Sequence, residues 1–204
     1  MSAHARVPTM NVIARKPMTL QEFLSWEERQ ELKYEFDGTQ PVAMTGCTAN
    51  HSALQGNLAA SLITRLRGEP CRFHGSDLKI EVAGSIRYPD GFVVCTPVAP
   101  RQTVVRDPVV VFEVLSPSTA GTDLITKNNE YAATPSIQRY VMLHQDRMGA
   151  IVFARTGDDW VGHVLGAEAI LQMPEIGVEV PLAELYEGID FSSAQEAAAE
   201  NEQG

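Results

Sequence analysis

A carboxylate set inside an apolar strand constrains this chain more than any other feature. Residues 109–116 read VVVFEVLS, and seven of those eight positions suit a buried β-strand; the eighth is Glu113. The run is apolar on both faces of its pleat, the mark of a central strand covered from both sides. An isolated ionised carboxylate there would cost several kcal/mol. Glu113 is therefore expected to be paired, protonated or metal-bound, with a structural salt bridge or a place at the open end of the strand as the plainer alternatives. On this residue alone those alternatives stay open.

The flanking pattern predicts an α/β (α+β) domain built on a mixed β-sheet flanked by helices. TLQE at Thr19–Glu22 has the form of a capping box and predicts a short helix. KYEFDGTQPVAM reads as a hairpin turning at Asp37-Gly38. From Asn50, taken as N-cap, to about Arg67, the residues Leu54, Leu58, Leu62, Ile63 and Leu66 form one helical stripe. Strands are expected at 71–74, 78–82, 91–95, 137–143, 150–154 and 160–165, and helices at 122–133 and 182–186. With 204 residues the chain suits one domain over 18–190, between a loose tail at 1–17 and a flexible acidic tail at 191–204.

Composition excludes some classes and leaves others. No apolar run approaches the roughly 18 residues of a membrane span, and the N-terminus has no apolar core of a signal peptide. Cys47, Cys71 and Cys95 are odd in number and show no CxxC spacing. Reduced thiols in a cytoplasmic protein are therefore expected. The net charge of −10 is unevenly spread: no Lys or Arg follows Arg155, while eleven acids do. The first 155 residues are nearly neutral, so charge neither proposes nor forbids a nucleic-acid substrate.

A second acid, Asp90 in IRYPDGFVVC, precedes another apolar strand. Taken alone, Pro-Asp-Gly is a turn signature. If its strand neighbours that of Glu113, however, the two carboxylates can converge on one hard cation such as Mg²⁺, which prefers oxygen ligands. A metal-dependent phosphodiester site also needs a positive group. Of the four lysines, Lys16, Lys33, Lys79 and Lys127, the last lies on the helix directly after the Glu113 strand. Its plainer reading is an i,i+4 surface pair with Asp123.

RYPDGFVVC, PVVVFEVLSPST and DLITKNNEYAATPSIQRYVML occur in that order. Together with YEFDG and the helix opened by Asn50-His51, they resemble the “putative restriction endonuclease” family of the PD-(D/E)xK nuclease superfamily, over about residues 18–187. The resemblance implies a restriction-endonuclease-like fold, with Asp90 as the acid of the PD motif and Glu113 as the second metal ligand. The superfamily places a lysine two residues after that acid, where this chain has Leu115. In this family the lysine has moved to the following helix, which points to Lys127. Glu35 in YEFDG is a third candidate carboxylate or a solvated strand residue. His51 is a packed or capping residue or a base, and Tyr131, Arg87 and Ser116 border the expected site.

The expected function is a Mg²⁺-dependent endonuclease acting on DNA, with Mn²⁺ able to substitute, working as a homodimer. A nuclease fold kept as a binding or assembly module is the alternative, favoured by the acidic last quarter and the few lysines. A glycosidase using Asp90 and Glu113 as its acid pair is a third reading.

Overall fold

The computed structural model describes residues 17–44, 46–116 and 121–192. The tails expected at the two ends therefore lie almost wholly outside the described residues, as does 117–120. Thr19 starts the first helix, α1 (Leu20–Glu27), with the expected reciprocal cap: its hydroxyl accepts the Glu22 N–H at 3.2 Å, and the Glu22 carboxylate accepts the Thr19 N–H at 2.8 Å. The hairpin follows as antiparallel β1 (Tyr34–Phe36) and β2 (Pro41–Ala43). Its turn is tied by Asp37 Oδ1, which accepts the N–H groups of Thr39 and Gln40, each at 2.8 Å. Gly38 takes φ +90° there, a conformation that favours glycine.

The long helix α2 spans Ala49–Arg65, and here two expectations are corrected. Thr48, not Asn50, is the N-cap, its hydroxyl accepting the His51 N–H at 3.2 Å. Asn50 sits in the first turn, and its amide donates instead to the Asp190 carbonyl at 2.8 Å. Leu54, Leu58, Leu62 and Leu66 are buried, but Ile63 is 51% exposed, off the stripe.

The chain then runs through β3 (Arg72–Gly75), β4 (Lys79–Val82), β5 (Ser85–Arg87), β6 (Gly91–Val94), β7 (Val104–Val105) and β8 (Val110–Leu115). A π-helical segment (Thr122–Lys127) leads into α3 (Asn128–Ala132), followed by β9 (Arg139–His144), β10 (Ala150–Thr156) and β11 (Asp159–Leu165). The strands β12 (Ile170–Met173) and β13 (Val178–Pro181) and the helix α4 (Leu182–Leu185) close the described chain. The strands pair into two main sheets: a six-stranded one ordered β11-β10-β9-β8-β6-β3 and a five-stranded one ordered β2-β1-β5-β4-β7. Both are mixed, with β8–β9 and β4–β7 parallel and the other pairs antiparallel.

All six residues of β8 are buried, and its pleat divides them between two cores. Val110, Phe112 and Val114 pack with the leucines of α2 and with β12, β13 and α4. Val111 and Leu115 pack on the opposite face with Ile80, Val82, Tyr131, Tyr140 and Met142. Period-two alternation therefore puts Glu113 on the second face, toward α3 and the five-stranded sheet.

The thiol expectation is overturned. Cys71 and Cys95 form a disulfide, with Cα atoms 3.9 Å apart, while Cys47 is free and exposed. The β3–β6 register pairs Arg72 with Val94, and one further step sets the two cysteines opposite each other.

Beside Asp90, Gly91 is required by close packing. A Cβ there would lie 2.6 Å from Cε2 and Cζ of the Phe73 ring. Gly91→Ala is expected to cost about 1–3 kcal/mol through forced displacement of that ring. Urea unfolding checks it, and an unchanged midpoint would sink the packing argument.

Candidate active site

β6 and β8 run antiparallel with Gly91 paired to Phe112, so the register continued by one residue sets Asp90 opposite Glu113. The two acids singled out in the sequence thus occupy facing positions on adjacent strands. Asp90 is held from three directions. Its Oδ2 accepts the Val114 N–H at 2.6 Å and lies 3.2 Å from His51 Nε2, and its Oδ1 accepts from Gln55 Nε2 at 2.6 Å. His51 and Gln55 are four residues apart on α2, so one helix face presents both. His51 thus contacts Asp90 rather than only packing on the leucine stripe, and its buried Nδ1 has no hydrogen-bond partner.

Glu113 meets the helical segment that follows its strand. Lys127 Nζ donates to Glu113 Oε1 at 2.8 Å, and the Tyr131 hydroxyl donates to the same oxygen at 3.2 Å. Both donors are buried. Lys127 and Tyr131 lie four residues apart, which turns both toward β8. Glu35 arrives from β1: its Oε1 lies 3.5 Å from Lys127 Nζ and accepts the Tyr88 N–H at 3.1 Å. Its other oxygen accepts from Arg87 Nη1 at 3.1 Å, so Glu35 is a partly buried ion-pair member and not a solvated strand residue. Arg87 also forks onto Glu130 of α3 and is buried deep within the molecule. Ser116 follows the end of β8.

Sequence reasoning missed Gln55 and Glu130. Gln55 carried a signal, its i+4 spacing from His51, whereas Glu130 meets Arg87 only through pairing of elements 43 residues apart.

Burial first, and then the neighbouring Glu113 carboxylate, push the Tyr131 phenol well above its ordinary range. Burial and the bond to Glu27 raise Tyr88 as well, and burial pushes Tyr186 up to about 12. These phenols keep their protons in the fold at a pH where the unfolded chain has lost them. Their contribution to stability is therefore complete below about pH 10 and is lost as pH rises through the folded values. Thermal melts are expected to show a midpoint that holds to about pH 9.5 and then falls. A midpoint unchanged at about pH 11 would contradict this assignment.

Among the described residues, no group of three or more His, Cys, Asp or Glu side chains is arranged to hold a metal ion. A closed cage of the structural-zinc kind is therefore not formed among them. Two carboxylates at facing positions of neighbouring strands are oxygen donors of a different kind. Mg²⁺ is commonly bound by one or two carboxylates, with water and substrate phosphate completing its shell. The carboxylate oxygens of Asp90 and Glu113 are donors of the kind that ion takes.

Residues 20–183 match the family described as “Uma2: Putative restriction endonuclease”. The chain is 33% identical over 175 residues to “Uncharacterized protein slr1290” of Synechocystis sp. PCC 6803, covering 84% of this chain and 92% of that protein. It is 30% identical over 156 residues to “Uncharacterized protein sll1609” of the same organism, covering 73% of this chain and 87% of that one. Its fold matches a crystal structure from Anabaena variabilis described as a putative nuclease belonging to DUF820. That likeness has a TM-score of 0.70 at 18% identity and covers 87% of this chain and 99% of the other. No helix among the described residues is long and apolar enough to cross a membrane.

Proposed function

The chain belongs to the Uma2 family of putative restriction endonucleases, and on that footing we propose that it hydrolyses phosphodiester bonds in DNA with a Mg²⁺ ion held by Asp90 and Glu113. The observation that carries the reading is Lys127. Its ammonium comes from a helical segment and still reaches Glu113 at 2.8 Å, although the strand itself has Leu115 where the superfamily has its lysine. When bound, the ion supplies Lewis-acid charge to a phosphate oxygen and acidifies a water.

The protein's own groups do the rest. Val114 N–H, His51 and Gln55 fix the orientation of the Asp90 carboxylate. Lys127 holds a positive charge beside Glu113, where negative charge grows on a phosphate under attack. Tyr131, kept protonated by burial, donates a hydrogen bond to Glu113 and fixes its rotamer.

The direct test is cleavage of plasmid DNA with Mg²⁺ or Mn²⁺, together with Mn²⁺ titration calorimetry. Cleavage that is abolished by chelation is expected. A protein that cuts neither DNA nor RNA and binds no Mn²⁺ would sink the proposal and leave the binding or assembly module standing. Cutting both strands of a duplex favours a two-fold dimer. In this reading the second copy pairs along the β11 edge, which has no Lys, Arg or Pro to block pairing and leaves Val164 80% exposed. Sedimentation that shows only monomer at micromolar concentration would remove that element.

A further inference from the structure

Lys127 raises a positional problem. A lysine two residues after Glu113 would be fixed by the pleat of β8. Lys127 instead ends a π-helical segment reached only after the chain has left the sheet. Its height over Glu113 must be set by whatever anchors that segment.

Trp160 Nε1 donates to Asn128 Oδ1 at 2.9 Å, and Arg87, on β5 of the other sheet and 2% exposed, reaches the same helix from the opposite sheet. Its Nε donates to Glu130 Oε2 at 2.7 Å and its Nη2 to Glu130 Oε1 at 2.6 Å, a two-point fork. Glu130 lies three residues beyond Lys127, and its Oε1 also accepts from Ser85 Oγ at 2.9 Å. The third bond of Arg87, from Nη1, goes to Glu35, whose other oxygen lies 3.5 Å from Lys127 Nζ. One guanidinium therefore grips both the helix that carries the lysine and a carboxylate that faces it.

We infer that Arg87 is a positioning residue for Lys127, its fork on Glu130 setting the helical segment and its bond to Glu35 setting the carboxylate beside Nζ. The catalytic consequence rests on the role proposed for Lys127 above; the placement itself does not. Arginine suits this work and lysine does not, because only the planar guanidinium meets a carboxylate at two points while donating to a second.

The test uses Arg87→Lys and Glu130→Gln in the full chain, with lysine acetylation by acetic anhydride read by mass spectrometry. Lys79, buried against Glu27, is the internal control. Losing a charged hydrogen bond should raise Lys127 acetylation about tenfold or more in both variants while Lys79 keeps its wild-type rate. Mn²⁺ affinity should stay within about twofold, since Asp90 and Glu113 are untouched, while turnover falls about tenfold or more. In a Lys127→Met background, Arg87→Lys should cause no further loss of turnover.

Lys127 protection unchanged in both variants would overturn the inference. So would a turnover loss that persists in full in the Lys127→Met background. If Arg87→Lys unfolds the chain, Lys79 is labelled along with Lys127, and Glu130→Gln, which keeps an oxygen for Arg87 and Ser85, decides. Unfolding of both variants would assign Arg87 to stability alone and overturn the inference as well. A wild-type protein that cuts nothing would defeat the nuclease reading, and the acetylation contrast would still decide this one.

Discussion

Asp90→Asn and Glu113→Gln are each expected to abolish Mn²⁺ binding measurable by calorimetry and to lower DNA cleavage by about a thousandfold or more. The estimate follows from the several kcal/mol that metal charge contributes in such reactions, where each 1.36 kcal/mol is a decade in rate. The two variants should differ in stability. Asp90 is held by a backbone N–H, Gln55 and His51, and Asn keeps an oxygen for the amide donors. Glu113 neutralises Lys127 in a buried site, so Glu113→Gln leaves that ammonium with less compensating charge. Glu113→Gln should therefore melt earlier than Asp90→Asn although both lose metal. Either variant retaining wild-type Mn²⁺ affinity would remove its carboxylate from the proposed ion site.

Lys127→Met should separate binding from chemistry. Methionine fills similar volume without charge and leaves both carboxylates in place, so Mn²⁺ affinity should persist. Cleavage should fall about 10²–10³-fold, as when one preorganised charge-stabilising donor is removed. Stability should also fall, by up to about 3–5 kcal/mol, because Glu113 loses the cation that faces it in a dry setting. The Tyr131 hydroxyl and the hold of Arg87 on Glu35 soften that cost. Adding Glu113→Gln to Lys127→Met should recover part of the lost stability, as coupled partners do in a double-mutant cycle. Cleavage unchanged in Lys127→Met would show that the lysine is only the counter-charge of Glu113. The proposed mechanism would then lose its cationic group.

The strand that carries Glu113 could be read from the sequence because a two-faced apolar run has few other solutions, and the capping box at Thr19 was equally local. Lys127 was reached from its place on the helix after the Glu113 strand and from the family resemblance, since no periodicity links a helix residue to a strand residue fourteen positions away. Thr48 and Asn50 are both good cap formers two residues apart, and only the backbone shows which one takes the role. Short strands such as β5 and β7 carry too little alternation to stand out, yet β5 supplies Arg87. The pairing of Cys71 with Cys95 depended on strand register, which sequence separation does not encode. What stayed hidden was set by how distant elements stack: the Arg87–Glu130 fork and the meeting of Glu35 with Lys127.

The place of β8 in its sheet also governs when the site can exist during synthesis. Its antiparallel neighbour β6 precedes it in the chain, whereas its parallel neighbour β9 comes after the helical segment that bears Lys127 and Tyr131. Until His144 has left the ribosome, one edge of the Glu113 strand is unpaired, and parallel pairing across an intervening helix is among the slower steps of folding. The grouped charges therefore lack the support of β9 on any chain that ends before Arg139.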